Sequence, residues 1–418
     1  MIKKGSDLLL TALNEEGQSL SLLSSISEKN VNKTLRSQQF FCPICREPLI
    51  LRAGEIRIPH FAHKKNSDCT SAFSEPESIQ HLQGKKYLYD YFMKQGLTVE
   101  LEYYLPNIKQ RPDLLVKNGT ELFAIEYQCS ILSRTLLQTR TEGYLKVGIS
   151  PIWIIGGLPF QKKQNDIFKI SDFHWSLAKR RDGFNMSLLS FHTEMKRFYL
   201  LSEISPLSSR KIFATLSSKH VNDANLPLQI PVGPRRSKQT MWLPEKRRWL
   251  KNKVHYGNIV DDPFLKAIYV SGNNPFLLSP IIGLPVPNME YFQSHPLEWQ
   301  YFIYQDCLSN LSIGQRISLK YIYQKLRIRM KASFLLERIF PLEIEGNWEY
   351  AVKDYFSLMT ELEYFIKIGE DLFEMIKIIT MPKTIEEALK MEEAFDKKLV
   401  LSIRKTTRTS NGCIFFGI

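Results

Sequence analysis

The sequence lacks a continuous apolar run long enough to cross a membrane. Its most apolar stretch, residues 275–287, is short and interrupted by prolines, whereas a transmembrane helix needs about 20 apolar residues. A signal peptide is not predicted either, because polar residues at 5–7 and 14–16 leave too short an apolar segment. Of the six cysteines, three are clustered and three scattered, which is not the spacing of a disulfide framework. We therefore expect a cytoplasmic protein without a membrane span.

Acidic residues are too few to balance the basic ones. The chain has 56 Lys and Arg against 43 Asp and Glu, which gives a net charge of +13 and a pI near 9.3. This excess favours a polyanionic partner, above all nucleic acid, although a generally lysine-rich proteome would also produce it. With 418 residues, of which 44% are hydrophobic, the chain is long enough for two or three folded domains.

Residues 108–130 contain the pattern around which the chain is organised, a predicted β-hairpin. Residues 114–116 supply an apolar strand, and the Asn-Gly at 118–119 is a strong turn signal because both residues tolerate a positive φ. The return strand, residues 121–128, alternates in polarity. The turn therefore folds the start of the first strand back against the end of the second.

The polar side chains of this hairpin match the layout of the PD-(D/E)xK nuclease core. Glu126 and Gln128 share one face of the return strand, and Asp113 lies near them across the hairpin. The two carboxylates can hold Mg²⁺ or Mn²⁺ through oxygen ligands, and such an ion would polarise a phosphodiester and help to generate the attacking hydroxide. Gln128 stands where the pattern usually has Lys, so it can orient a water or a phosphate oxygen but carries no charge. The alternative is an ordinary hairpin with charged residues on its solvent face.

A Cys-x-x-Cys knuckle precedes the hairpin, in a segment too small for a core of its own. Cys42, Cys45 and Cys69, with one histidine, would complete a tetrahedral structural Zn²⁺ site. We favour His63 as the fourth ligand and keep His60 as the alternative. A closed site of this kind would hold the segment together without doing chemistry. The competing interpretation is a reduced cysteine pair in a small β-core with surface histidines.

A helix of about five turns, ending before Gly96, is predicted between these two motifs. It begins at residues 74–77 with a capping-box sequence. Glu77, His81 and Lys85 follow one another at i, i+4 and i+8, so they share one face of the helix. Glu77 is placed to add a carboxylate to the nuclease core; alternatively it only caps the helix, and His81 and Lys85 face solvent.

The elements after this helix follow the order of a restriction-endonuclease-like fold. Residues 97–105 read as a strand with Glu100 and Glu102 facing outward. The two strands of the hairpin follow, then a helix at about 132–147 and a buried strand at 151–156. The predicted order is thus α-β-β-β-α-β, which supports the nuclease interpretation independently of the motif residues.

Two residues of the second helix, Arg140 and Tyr144, share a face at i and i+4. The arginine can clamp a phosphate, and the tyrosine can stack on a base or donate to a phosphate. Alternatively Tyr144 belongs to the core, and Arg140 pairs with a carboxylate such as Glu142 or Glu126.

Taken together, these residues resemble the competence protein CoiA family over roughly residues 35–160. The resemblance is carried by Cys42, Cys45, His60, Phe61, Ala62, His63, Glu77, Ser78, His81, Lys85, Arg111, Pro112, Asp113, Glu126, Tyr127, Gln128, Ser130, Arg140, Tyr144 and Trp153.

The resemblance implies a cytosolic factor of naturally transformable Gram-positive bacteria. Such a factor acts after DNA uptake, when incoming single strands are recombined into the chromosome. The resemblance also implies a restriction-endonuclease-like domain with Asp113, Glu126 and Gln128 as its catalytic set and Glu77 as a fourth member. Glu-x-Gln in place of Glu-x-Lys is itself part of the family pattern. The residues implied to support the site or to contact DNA are His81, Lys85, Arg111, Ser130, Arg140 and Tyr144.

The second half of the chain contains a strongly basic segment at residues 231–253. Basic residues with interleaved aromatic rings are suited to single-stranded nucleic acid, since the charges bind the backbone and the rings stack on bases. A solvated linker between domains is the competing interpretation. The residues of this segment that we predict to bind DNA are Arg235, Arg236, Arg247, Arg248 and Trp249.

The sequence thus predicts an α/β protein with four parts. These are an N-terminal β-hairpin and zinc-binding segment at 1–73, a PD-(D/E)xK nuclease-like domain at 74–230, a basic linker at 231–258 and a helix-rich C-terminal domain at 259–418. Amphipathic helices are predicted in the last part at 298–308, 319–330, 350–368 and 384–394.

The predicted function is that of a Mg²⁺- or Mn²⁺-dependent deoxyribonuclease or DNA-processing factor that also contains structural Zn²⁺. Its substrate would be internalised DNA, single-stranded or branched, during transformation and recombination. The alternative is a non-catalytic DNA-binding adaptor that holds single strands for the recombinase machinery. A restriction or phage-defence nuclease is not favoured, because no domain for reading a DNA sequence is evident.

Overall fold

A computed structural model describes residues 8–22, 33–53, 59–64, 69, 78–164, 166–181, 184–224, 228–231, 238–343, 346–406 and 413–416. Within these ranges no helix is both long and apolar enough to span a bilayer.

The N-terminal part is a six-stranded antiparallel sheet in the order β1-β6-β5-β4-β2-β3. The hairpin predicted at the N-terminus is found as β2 and β3. A small apolar cluster that includes Leu9, Phe40 and Phe61 forms the core of this part. The elements are β1 (Leu8–Leu9), β2 (Thr11–Leu13), β3 (Ser19–Ser21), α1 (Lys33–Arg36), β4 (Phe40–Phe41), β5 (Pro48–Arg52) and β6 (His60–His63).

The next six elements occur in the predicted α-β-β-β-α-β order. Strands β7, β8 and β9 are antiparallel neighbours, and β10 pairs parallel to β9. Helix α2 lies so close to β9 that a Cβ on Gly84 would be 1.8 Å from the ring of Tyr127. The elements are α2 (Ile79–Lys94), β7 (Thr98–Leu101), β8 (Leu114–Asn118), β9 (Glu121–Gln128), α3 (Arg134–Lys146) and β10 (Ile149–Gly156).

The chain then extends this sheet to ten strands. The path runs β11-β12-β16-β15-β14-β10-β9-β8-β7, with β13 paired to β14 outside it. The hairpin strands β8 and β9 therefore lie near one end of the sheet, and β11 lies at the other end. The added elements are β11 (Gln161–Gln164), β12 (Ile167–Lys169), α4 (Asp172–Ser176), β13 (Lys179–Arg181), β14 (Phe184–His192), β15 (Arg197–Pro206) and β16 (Lys211–His220). They are followed by β17 (Leu228–Pro231), which lies outside this sheet.

The C-terminal part is mainly helical and contains a small sheet in the order β18-β20-β19. The last strand, β21, pairs with β17. The elements are α5 (Lys238–Tyr256), α6 (Pro263–Val270), α7 (Pro296–Ile303), β18 (Arg316–Ser318), α8 (Leu319–Lys331), α9 (Trp348–Glu361), β19 (Phe365–Lys367), β20 (Leu372–Met375), α10 (Ile385–Thr406) and β21 (Cys413–Phe416).

Two predictions about this part need correction. The helix expected at 350–368 ends earlier, because Glu363 has a φ of 62° and the amide of Tyr364 turns back to the carbonyl of Met359 at 2.9 Å. The expected linker contains helix α5, and the side chain of Trp242 on this helix is 6% exposed in a core shared with the sheet extension. Residues 238–256 are therefore a packed helix, not a solvated connection.

Strand β7 is shorter than predicted, and this changes the position of Glu102. The strand ends at Leu101, and Glu102 adopts a φ of 52°, which breaks the alternation of side chains. Glu102 was expected to face outward, but its exposed fraction is 3%, whereas the neighbouring Tyr103 is 44% exposed.

The carboxylate of Glu102 joins the N-terminal sheet to the core. It accepts hydrogen bonds from the backbone amides of Leu10 and Thr11 at 3.2 Å and from the Thr11 hydroxyl at 2.9 Å. Lys85 Nζ on α2 donates to it at 2.5 Å, and the Lys85 side chain is fully buried. Burial alone would raise the pKa of Glu102, but the charges of Lys85 and Arg111 lower it.

We predict that Glu102→Gln destabilises the protein strongly. The substitution leaves the buried charge of Lys85 without its nearest anion, which typically costs about 3–5 kcal/mol. The free energy of unfolding should be measured by chemical denaturation and compared with that of Glu100→Gln. Glu100 is exposed on β7 and serves as the matched control. Equal stability of the two variants would contradict this role for Glu102.

Candidate functional site

The predicted acidic pair lies on neighbouring strands of the core sheet. Asp113 immediately precedes β8, and Glu126 lies near the end of β9. The side chains of β9 alternate as predicted: Tyr127 enters the core beneath α2, and Glu126 faces α3. The two carboxylates influence each other's charge, since Asp113 contributes to the raised pKa of Glu126.

Asp113 is held by three groups that favour its ionised form. Its Oδ2 lies 3.1 Å from His81 Nε2 and accepts the backbone N–H of Tyr127 at 2.8 Å. Its Oδ1 lies 3.7 Å from Lys85 Nζ. Burial opposes ionisation, but the charges of His81 and Lys85 keep the pKa of Asp113 well below its usual range.

Glu126 is more deeply buried than Asp113, with an exposed fraction of 2%. Arg140 donates to its Oε1 at 2.5 Å, and the hydroxyl of Tyr144 donates to the same oxygen. Burial raises the pKa of Glu126 to about 7, with a further contribution from Asp113, and Arg140 and Tyr144 only partly offset this effect. The two acids of the pair therefore differ widely in acidity.

Each carboxylate has one oxygen that accepts no hydrogen bond from the described residues. These oxygens are Oδ1 of Asp113 and Oε2 of Glu126, since the bonds described above all go to the other oxygen. A divalent cation that prefers oxygen would find two carboxylate donors here. The donor set of the described residues thus fits such an ion in part. Glu77, the expected further carboxylate, lies outside the described residues.

The amide of Gln128 is held by Ser130. Its Nε2 donates to the carbonyl and the hydroxyl of Ser130, at 2.9 and 3.1 Å. Ser130 therefore positions the amide that stands in place of the usual lysine. Gln128 is half-buried and Ser130 is exposed at the end of the strand.

The other residues predicted around the site act mainly through these carboxylates. Lys85 is fully buried, so it supports Asp113 and Glu102 and cannot contact a phosphate. Tyr144 is also fully buried and cannot stack on a base, which corrects one of its two suggested roles. Arg140 pairs with Glu126, as the alternative interpretation held, and it also donates to the carbonyl of Arg111 at 3.2 Å.

Sequence reasoning missed Glu102 as a part of this arrangement. Its backbone N–H donates to the carbonyl of Asp113 at 3.0 Å, and its side chain holds Lys85. The alternation of polarity assigned this residue to the solvent face. The sequence gives no signal of the positive φ that turns it inward.

The Cys-x-x-Cys segment forms a cluster that can hold a metal ion. The ligand atoms of Cys42, Cys45, His63 and Cys69 all lie within 4.8 Å of one another. Sulfur atoms around a tetrahedral Zn²⁺ are about 3.8 Å apart, given a Zn–S distance of about 2.3 Å. Burial raises the pKa of Cys45 to about 12, so ion binding there would release protons.

The structure distinguishes His63 from His60. Strand β6 contains both residues, and side chains alternate along a strand, so two residues three positions apart point to opposite faces. Nε2 of His63 is 3.4 Å from Sγ of Cys45, and His63 is the histidine of the cluster.

The basic segment has a different environment from the one predicted. Arg235 and Arg236 lie outside the described residues. Trp249 stacks on His295 with ring centroids 4.1 Å apart, so this face of the indole is used for packing. The guanidinium groups of Arg247 and Arg248 pair with Glu392 and Glu245 respectively, although both arginines remain exposed.

Three family models match consecutive parts of the chain. The Competence protein CoiA N-terminal domain matches residues 23–72, the CoiA nuclease-like domain matches residues 77–229, and the CoiA C-terminal domain matches residues 238–389. The Competence protein CoiA of Bacillus subtilis (strain 168) is 30% identical over 275 residues, which are 65% of this chain and 73% of that protein. No solved structure matches the chain.

We predict that the purified protein contains about one metal ion per chain in the cysteine cluster. His63→Ala should lose most of this ion because a four-ligand site then has only its three thiolates. His60→Ala should retain it, since His60 points to the opposite face of the same strand. Metal content is measured by elemental mass spectrometry after dialysis. Equal metal content in the two variants would contradict the assignment.

Proposed function

Because the chain belongs to the competence protein CoiA family, we propose that it is a metal-dependent nuclease that processes DNA taken up during natural transformation. The substrate class is single-stranded or branched DNA on its way to recombination. We also propose that the cysteine cluster takes Zn²⁺, and that the chain is divided at about residues 73 and 230.

The observation that carries the nuclease proposal is a pair of carboxylate oxygens that accept no hydrogen bond from the described residues. Asp113 Oδ1 and Glu126 Oε2 belong to adjacent strands of an α-β-β-β-α-β unit, the order of the PD-(D/E)xK nucleases. When bound, Mg²⁺ or Mn²⁺ would supply Lewis-acid activation of a water molecule and of the phosphodiester. Glu77 is proposed as a further carboxylate.

Three residues of the site have different proposed roles. Asp113 is kept ionised by His81 and Lys85, so it is the permanent anionic ligand. Glu126 can exchange a proton near neutral pH, because its pKa is about 7. Gln128, oriented by Ser130, is placed to position water or a phosphate oxygen without adding charge.

A DNA-binding adaptor without catalytic activity is the second candidate. One observation favours it: each carboxylate is already engaged by cations of the chain, Asp113 by Lys85 and His81 and Glu126 by Arg140. In an adaptor these pairs would serve only to stabilise the fold. DNA affinity would then not depend on a divalent ion.

We predict that Asp113→Asn abolishes metal-dependent cleavage of DNA. The asparagine oxygen can still accept a hydrogen bond from the amide of Tyr127, but the ligand loses its charge. The cleavage rate should fall by at least about 100-fold, since each 1.4 kcal/mol of lost transition-state stabilisation lowers the rate tenfold. Labelled single-stranded, duplex and branched DNA are incubated with Mg²⁺ or Mn²⁺. Exposed Glu100→Gln is the control.

Cleavage that persists unchanged in Asp113→Asn would refute this active site. If no DNA is cut by the wild type and both proteins bind DNA equally well, the adaptor is the correct function. If the wild type does cleave DNA, Glu126→Gln and Gln128→Ala show whether the loss of cleavage is confined to the acidic pair.

We predict a pH-dependent stability that originates at Glu126. Its pKa rises from 4.5 to about 7 on folding, so the folded state binds more protons than the unfolded state between these values. The free energy of unfolding contributed by this group therefore falls as pH rises from about 4.5 to about 7. Denaturation of the wild type and Glu126→Gln across this range should show the difference between them changing with pH. A constant difference, equal to that of the exposed control Glu121→Gln, would contradict the prediction.

A further inference from the structure

A cleft of about 390 Å³ lies at the end of the sheet that is remote from the acidic pair. Its side chains come from β11, β12, the start of β16 with the turn before it, and α5. Five of its seven lining residues are basic, and none is acidic. The lining residues are Lys163, Ile167, Lys169, Ser208, Arg210, Lys211 and Arg248.

Most of this charge is not neutralised by the protein. Lys163, Lys169 and Arg210 are exposed, and none forms an ion pair with any residue that the structure describes. The other two cations share one carboxylate, because Lys211 Nζ lies 2.7 Å from Glu245 and Arg248 contacts its second oxygen. The cleft thus has five positive charges against one buried acid behind it.

Two of the lysines face each other across neighbouring strands. Lys169 of β12 and Lys211 of β16 are directly paired in the sheet register. Like charges at directly opposite positions destabilise a sheet. A fold that keeps two lysines opposite each other near the end of the sheet is suited to a ligand that brings negative charge.

The cleft is separate from the acidic pair. Five strand-to-strand steps lead from β9 to β12 along the sheet, which at about 4.8 Å per step is roughly 24 Å. A duplex advances about 3.4 Å per base pair. DNA bound at the acidic pair would therefore need about seven base pairs, or an equivalent length of single strand, to reach the cleft.

We propose that this cleft is a second binding site for the phosphate backbone of nucleic acid. It holds the part of the strand that lies beyond the acidic pair. Convergent lysine and arginine side chains with a serine hydroxyl bind phosphate oxygens without reading bases. The inference rests on the proposed function in taking DNA as the ligand, but it does not require cleavage.

The test compares Lys163→Ala/Lys169→Ala/Arg210→Ala with a control of equal charge change, Lys146→Ala/Lys367→Ala/Lys383→Ala. All six side chains are exposed. Binding of a labelled 30-nucleotide strand and of a 30-base-pair duplex is measured by fluorescence anisotropy against salt concentration, with no added Mg²⁺ or Mn²⁺. The cleft variant should bind at least about tenfold more weakly at 0.1 M salt. Its salt slope should fall by about 2 for the single strand and about 3 for the duplex, since each contact contributes about 0.7 or 0.9.

The control variant should keep most of the wild-type affinity and slope. Equal losses in the two variants would show a general charge effect and overturn the proposal, as would unchanged binding by the cleft variant. Displacement of the strand from the wild type by low-millimolar inorganic phosphate would assign the cleft to a small free anion and would also overturn it. Thermal unfolding adds a structural readout: Lys169→Ala should not lower the melting temperature, because it removes a repulsion.

Failure of the nuclease proposal is distinguishable from failure of this one. If the protein cleaves DNA, the cleft variant should raise KM and leave kcat unchanged. If it cleaves nothing, the anisotropy measurement still decides whether the cleft binds the backbone.

Discussion

The buried ion pair between Glu102 and Lys85 is the interaction on which the candidate site depends. The carboxylate of Glu102 accepts hydrogen bonds from the N-terminal backbone at Leu10 and Thr11 and from Lys85 of α2. Its backbone N–H donates to the carbonyl of Asp113. A glutamate at a φ of 52° is costly in isolation. It persists because four separate donors fix its carboxylate in one position. The N-terminal sheet that contains the cysteine cluster is therefore joined to the nuclease-like core. The backbone amides of Leu10 and Thr11 hold the carboxylate of Glu102, whose own N–H donates to the carbonyl of Asp113.

Charge balance around the acidic pair follows from this arrangement. Lys85 is shared between Glu102 at 2.5 Å and Asp113 at 3.7 Å, so Asp113 receives a positive field without losing Oδ1 to a hydrogen bond. Glu126 has no such buried ammonium and depends on Arg140 and Tyr144. Environments that separate the pKa values of two neighbouring acids commonly give them different roles. Here Asp113 stays charged, whereas burial raises the pKa of Glu126 to about 7, so the proposed binding of a divalent ion at the pair would be coupled to proton release.

Patterns that depend on local physics predicted the structure well. The Asn-Gly turn and the alternation of β9 place Asp113 and Glu126 on adjacent strands, and the cysteine spacing predicts the cluster with His63 as its favoured histidine. Features that depend on long-range packing could not be predicted from the sequence. A strand pattern cannot show that β7 stops at Leu101, because the reversal at Glu102 is stabilised by residues more than 90 positions away in the chain. Helix α5 was similarly misjudged: its basic and aromatic residues suggested an exposed surface for single-stranded nucleic acid or a solvated linker, but the ring of Trp249 packs on His295.

Linear clustering of charge is a poor guide to where a polyanion binds. Part of the charge of the basic run at 231–253 is neutralised within the protein, since Arg247 pairs with Glu392 and Arg248 with Glu245. The basic cleft at the far edge of the sheet, in contrast, gathers its cations from four separate segments of the chain. Apart from α5, these segments contain no more than two basic residues in succession, so the sequence pattern does not reveal them. Pairing of β12 with β16 places Lys169 opposite Lys211, and α5 adds Arg248 from the layer above. The fold thus positions a backbone-binding surface that the net charge of +13 only implies in general terms.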